Sequence, residues 1–218
     1  MSTSSNDPTP PPPPPPYLIS TSSLLTTTTT TSPSLTPRAH RFNPSAHRSQ
    51  SNISDSTSLT KSIVHLCRLP PNSESTAMHW HTCDDEWVYV VEAGEGARVV
   101  VVELDEVAQV EEGEEGVKGK EAKGEAKGEG EGGKGEIKTK EIPIHKGDFL
   151  GFPAGARIGR LLKSGPTEVV YLMGGSRESF DVCHYPLLGR RLVIDRTAGG
   201  SGWKGWSVLD GDVVEWNK

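Results

Sequence analysis

The sequence predicts an all-β domain of the sandwich or barrel type. Three observations predict it. Short runs rich in β-branched and aromatic residues recur between Ile63 and Tyr185, broken by Gly/Pro clusters at the spacing of about 8–12 residues that such folds use. No sustained helical period appears in that region. The hydrophobic content is only 33%, low beside the ~45–50% of ordinary domains, because two biased segments dilute a normal core.

The first biased segment is residues 1–60, with 11 of the 17 prolines and most of the Ser and Thr. Pro10–Pro16 lacks backbone donors and has fixed φ, which gives polyproline II. The run Thr26 to Thr31 follows. Such composition buries too little apolar area to offset the entropy of ordering, so disorder is expected here. Pro10–Pro16 has the composition of a ligand for an SH3-like or profilin-like partner. Arg41-Phe42-Asn43-Pro44 reads as an arm able to dock on the domain.

The second biased segment is residues 103–141, with thirteen acids, seven bases and nine glycines. Glycine at that density opposes the helix that the Glu/Lys spacing would support. It reads as a disordered, solvated insertion in a hairpin loop. The chain has 23 basic and 29 acidic residues, net −6, and the insertion alone carries that excess. The remainder is balanced, which gives no electrostatic case for nucleic acid. No apolar run approaches the ~20 residues of a membrane span. Cys67, Cys83 and Cys183 form no C-x-x-C pattern, and the start has no secretory pattern. A reducing, cytoplasmic setting is therefore expected. A mitochondrial setting is the alternative, given the Ser/Thr-rich, acid-poor start with Arg38, Arg41 and Arg48.

The expected organisation is a tail over 1–60, a barrel over 61–195 interrupted by 103–141, and an aromatic extension over 196–218 that packs on the barrel. Strands are expected at Ile63–Leu69, Ala77–His81, Glu86–Val91 and Ala97–Val102. After the insertion they resume at Ile142, Asp148–Phe152, Arg157–Leu162, Val169–Met173 and Asp181–Tyr185.

The chemistry concentrates in His79-Trp80-His81-Thr82-Cys83-Asp84-Asp85-Glu86. Residues i and i+2 of a strand share a face, so His79 and His81 point the same way, about 7 Å apart along the strand. Thr82–Asp85 reads as a polar turn. Alternation then puts Glu86, Val88 and Val90 on one face and Trp87, Tyr89 and Val91 on the other. With Glu86 inward, one β-hairpin brings two imidazoles and a carboxylate together, a set that Zn, Mn and Fe(II) accept. Spacing alone leaves open that these are unrelated core or surface residues. Cys83 is a candidate thiol, Tyr171 and Met173 candidate lining residues, and His145 and His184 structural or exposed.

The pattern His79-x-His81-x4-Glu86 resembles the first motif of the cupins, G-x5-H-x-H-x3,4-E-x6-G. Ser73 stands at the leading Gly, and Gly94 is displaced by one residue. Gly147, Pro153 and Gly155 match the second motif, G-x5-P-x-G-x2-H-x3-N. Asp84 to Glu92 and Val170 to Gly175 resemble small single-domain microbial and fungal cupins. The resemblance runs from Lys61 to about Asp195. It implies a double-stranded β-helix (jelly-roll) cupin barrel with a cavity between its sheets, and a homodimer as the common assembly. Within the motif, His79, His81 and Glu86 would ligate a divalent Fe, Mn, Ni or Zn. The third histidine is absent: the position falls on Ile158 or Gly159, with Arg160 beside it.

Three readings of function follow. One is a metal-dependent enzyme, oxygenase-like or isomerase-like, acting on a small organic substrate at His79, His81 and Glu86. The second is a non-catalytic small-molecule-binding cupin with a degenerate site, where Arg157 and Arg160 clamp a carboxylate or phosphate. The third is an interaction protein working through Pro10–Pro16 and the acidic insertion.

Overall fold

The computed structural model describes residues 17–26, 35–104, 138–197 and 202–213. The N-terminal part holds α1 (Thr21–Thr26), β1 (Thr36–His40), β2 (Asn43–Asn52) and α2 (Ile53–Ser56). Then come β3 (Ser62–Leu69), β4 (Trp80–His81), β5 (Glu86–Ala93) and β6 (Arg98–Glu103). After the insertion follow β7 (Lys140–Pro143), β8 (Phe149–Phe152), β9 (Ile158–Lys163) and β10 (Val169–Ser176). The chain closes with β11 (Phe180–Tyr185), β12 (Arg190–Asp195) and β13 (Lys204–Leu209).

One sheet has six antiparallel strands in the order β1-β2-β3-β10-β5-β8. A four-stranded sheet, β13-β12-β11-β4, and a three-stranded sheet, β7-β6-β9, make up the other wall. These two join at a seam, where His79 N–H donates to Arg160 O at 3.4 Å and Arg160 N–H to His79 O at 3.0 Å. The main core lies between the walls. Leu69, Val88, Val90, Phe152, Val169 and Tyr171 come from the six-stranded sheet, and Val99, Val101 and Leu162 from the facing one. Each such side chain contributes roughly 1.5–3 kcal/mol by leaving water. Gly147 (φ 91°) and Gly155 (φ 74°) turn the chain into β8 and β9 with backbone angles that L side chains rarely adopt.

Most strands fall where alternation puts them, and β6 and β7 pair as a hairpin around the insertion. Three expectations need correction. The first concerns only part of the tail expected to be disordered over 1–60: its residues 36–56 form β1, β2 and α2, while residues 1–16 and 27–34 lie outside the described residues. Its composition argues only against a core of its own. β2 instead hydrogen-bonds along the free edge of β3, from Ser49↔Arg68 to Asn52↔His65, and Phe42 packs edge-on against Tyr185 with centroids 5.1 Å apart. Further upstream, Leu24 of α1 covers Leu66 and Val170 on the outer face of the six-stranded sheet. The Ala77–His81 strand is the second correction: only Trp80–His81 is a strand, paired with β11.

The third correction concerns the expected β-hairpin. β4 and β5 belong to different sheets, so Thr82–Asp85 crosses from one wall to the other. In the C-terminal extension, β13 pairs in register with β12. Pro10–Pro16 and most of the 103–141 insertion lie outside the described residues. No helix among the described residues is long and apolar enough to cross a membrane.

Candidate functional site

The crossing turn aims the site. Trp80 stacks flat on His184, with centroids 3.8 Å apart and 4° between the planes. Alternation then turns its neighbours His79 and His81 to the opposite side, into a cavity of about 250 Å³ between the walls. Glu86 opens β5 on the facing sheet. Its Oε2 lies 3.6 Å from His79 Nε2 and 3.4 Å from His81 Nε2. The three predicted ligands therefore converge across the barrel rather than along a hairpin.

Each imidazole is held by its other nitrogen. His79 Nδ1 donates to the Ala77 carbonyl at 2.9 Å. His81 Nδ1 donates to Asp181 Oδ2 at 2.6 Å. Asp181 is fully buried, and its Oδ1 accepts the Cys83 and Asp84 backbone N–H groups at 2.9 and 3.3 Å. One carboxylate thus fixes both the His81 ring and the crossing turn. Gly155 N–H donates to His81 O at 3.0 Å, so the second-motif turn braces the same strand.

The electrostatics follow from these contacts. Burial pushes the Glu86 carboxyl up, but the Arg160 charge and the His79 and His81 hydrogen bonds outweigh it and hold Glu86 well below the usual range. Burial depresses His79. For His81, burial works downward, but the Asp181 and Glu86 hydrogen bonds lift it to about 9. For Asp181, burial works upward and the His81 hydrogen bond overcomes it, bringing the carboxyl to about 2.

Arg160 is the second predicted feature to land here. Its side chain is buried, stands over the Phe152 ring at 4.8 Å, and brings Nη2 to 3.1 Å from Glu86 Oε2. Its Nε has no hydrogen-bond partner among the described residues. The local reason is the alternation of β9. A Cβ on Gly159 would lie 2.7 Å from Val102 Cγ1 and 3.2 Å from Met78 Cγ, on the outer side, so Ile158 and Arg160 face inward. Arg157 does not join them: it is exposed, just before β9, and does not line the cavity.

Tyr171 and Met173 line the cavity as expected, and Tyr89 is on the exposed face. Cys83 is exposed, and its thiol is pushed up by burial and by the charges of Asp181 and Asp84, which opposes thiolate reactivity.

Sequence reasoning missed Asp181, Cys183 and Tyr185, three alternate residues of β11 that are all buried toward the site. The period-2 reading of Asp181–Tyr185 held that signal. His79, His81 and Cys183 each offer a ligand atom within 4.8 Å of the others. Burial raises the Cys183 thiol to about 12, so it is a neutral wall atom rather than a ready thiolate. His40 and Arg48, from the N-terminal strands, also line the cavity.

No family model and no curated protein matches the chain. Among solved structures, a candidate sugar phosphate isomerase from Acidithiobacillus ferrooxidans ATCC 23270 is similar at 22% identity. It covers 93% of this chain and 98% of its own, with a TM-score of 0.64. A sugar phosphate isomerase of the cupin superfamily from Silicibacter pomeroyi DSS-3 matches at 23% identity over 73% of this chain and 75% of its own, with a TM-score of 0.49. Two facing walls of antiparallel sheet with a cavity between them, and the similarity to the first of these structures along nearly its whole length, show the double-stranded β-helix (jelly-roll) fold that the motif resemblance implies.

Proposed function

We propose that this protein is a divalent-metal-dependent cupin enzyme that isomerises a small hydroxy-carbonyl substrate. The observation that carries the reading is the donor set. Two imidazoles, each with Nδ1 locked by a carbonyl or carboxylate, turn Nε2 toward one oxygen of a buried glutamate. Metal-ligating histidines are oriented in this way. Bonds of ~2.0–2.2 Å to one ion put its ligand atoms roughly 3–3.5 Å apart, close to the 3.4 and 3.6 Å found here. His79, His81 and Glu86 would hold the ion, and three protein ligands leave room for substrate oxygens. The bound ion supplies Lewis-acid polarisation of a carbonyl.

The chain's own residues do the rest. Arg160 presents an unpaired buried N–H to a substrate oxygen, and its charge, beside Glu86, favours an oxygen that gains negative charge during proton transfer. His40 Nδ1 accepts the Phe42 N–H at 3.1 Å, which leaves its proton on Nε2. Burial and the neighbouring His79 and Arg48 hold His40 at about 4. A neutral imidazole donor therefore stands in the cavity wall. Val88, Phe152 and Leu162 supply an apolar part of the lining. The name carried by the similar A. ferrooxidans structure supports the reaction class.

The test is proton exchange. The metal-loaded protein is incubated in D2O with a panel of aldose and ketose phosphates and their unphosphorylated parents, followed by NMR. Deuterium at the carbon next to the carbonyl, together with interconversion lost in Glu86→Gln, is expected. No exchange on any member by metal-loaded protein overturns the reading. A second reading, a metal-free binding protein, is favoured by the Arg160–Glu86 ion pair at 3.1 Å. It predicts ligand binding with neither metal nor exchange.

A further inference from the structure

Outside the inner cavity lies a larger one of about 600 Å³, and both are lined by His40, Arg48, His65, Tyr185 and Arg196. The shared lining makes them neighbours, an inner cavity at His79 and Glu86 and an outer vestibule beside it. Among the described residues, five arginines line the vestibule, Arg38, Arg41, Arg48, Arg177 and Arg196, against one carboxylate, Asp55. We propose that this vestibule is the phosphate subsite of the substrate. A phosphate monoester would seat its charged end among these arginines while its hydroxy-carbonyl end reaches the inner site. This inference rests on the reading of the inner site as the place of reaction.

Two features of the hairpin support it. Strand pairing places Arg38 directly opposite Arg48. Like charges in that arrangement destabilise a sheet pair, and a bound dianion between them removes the cost. Arg48 is also fixed rather than free to swing away. Its Nε donates to Gln50 Oε1 at 2.8 Å and its Nη1 to the Ser75 carbonyl at 2.9 Å.

The compensating acids are few. Arg177 Nη1 is 3.0 Å from Asp55 Oδ1. Arg196 Nη2 is 2.8 Å from Asp84 Oδ2, on the inner-cavity side. Arg38 and Arg41 are exposed at the rim. Of the two histidines here, His65 is lowered to about 4 by burial and then by Arg48 and Arg38, which reports the same positive field. Guanidinium forks match phosphate geometry, and a one-signed concave surface focuses that field.

Glycerol 1-phosphate serves as the probe, in isothermal titration of the full chain before and after chelation, with glycerol as the control. Binding of glycerol 1-phosphate but not glycerol is expected. It should weaken about tenfold or more in Arg38→Gln/Arg41→Gln and again in Arg177→Gln, and fall with added salt. His79→Ala/His81→Ala should bind within about threefold of the parent. The Arg38/Arg41 pair is exposed, so circular dichroism should show an unchanged fold, and Arg38→Lys should retain part of the binding. No binding by the parent, or equal binding by the arginine variants, overturns the inference. Binding lost only in the histidine variant places the phosphate on the inner site and also overturns it. Arginine-dependent binding by a protein without metal or exchange keeps the subsite and removes the isomerase reading.

Discussion

Replacing Asp181 by Asn tests how the site is held. The carboxylate is fully buried and accepts from His81 Nδ1 at 2.6 Å and from two backbone N–H groups. Lifting His81 from 6.5 to about 9 corresponds to roughly 3 kcal/mol, at ~1.4 kcal/mol per pH unit. Lowering Asp181 from 3.8 to about 2 corresponds to roughly 2 kcal/mol on the same scale. These are one interaction seen from its two ends, and Glu86 shares in the His81 effect, so about 2 kcal/mol is the fair figure.

The pH window follows from the signs. His81 is raised, so its contribution is complete below 6.5 and disappears as pH rises through about 9. Asp181 is depressed, so its contribution is complete above 3.8 and disappears as pH falls through about 2. Urea unfolding of the chelated protein should therefore show Asp181→Asn less stable than the parent by about 2 kcal/mol at pH 6, and by much less at pH 10. A difference near zero at pH 6, or the same at both pH values, would rule out the Asp181–His81 pairing as the source of this stability.

Two further outcomes are expected. Arg160→Gln removes a cation beside Glu86, and repulsion of a divalent ion falls with it. Metal titration should show affinity higher by about tenfold or more, and unchanged or weaker binding contradicts the placement of Arg160. Gly174→Ala drives a Cβ into the Trp87 indole at Cζ2, across the β5–β10 pair. Thermal or urea melts should show a loss of about 1–3 kcal/mol, and an unaffected variant would show that the ring moves freely.

How far the sequence is legible depends on the range of the interaction. Period-2 runs declare their own strands, so Ile63–Leu69 and Glu86–Val91 were readable, as was the inward face of Glu86, Val88 and Val90. Alternation also put His79 and His81 on one side. What it cannot give is the sheet to which a strand belongs. β4 and β5 looked like a hairpin because the turn between them is short, yet they pair with β11 and with β10. The β1–β2 hairpin was illegible for another reason: it has little apolar surface and takes its order from the edge of β3. Asp181 was hidden because its partner is 100 residues away. The choice between Arg157 and Arg160 turned on the strand face that the crowded Gly159 shows to Val102 and Met78.

Whether His79, His81 and Glu86 hold a metal is decided by the metal content of protein purified without a His-tag and without added metal, beside the His79→Ala/His81→Ala variant. Close to one equivalent of a divalent transition metal per chain is expected in the parent. Almost none is expected in the variant, with circular dichroism showing both folded. A parent free of metal that also fails to bind Mn, Fe, Ni or Zn on titration would contradict a metal site at these residues. Metal retained equally by the variant would do so too.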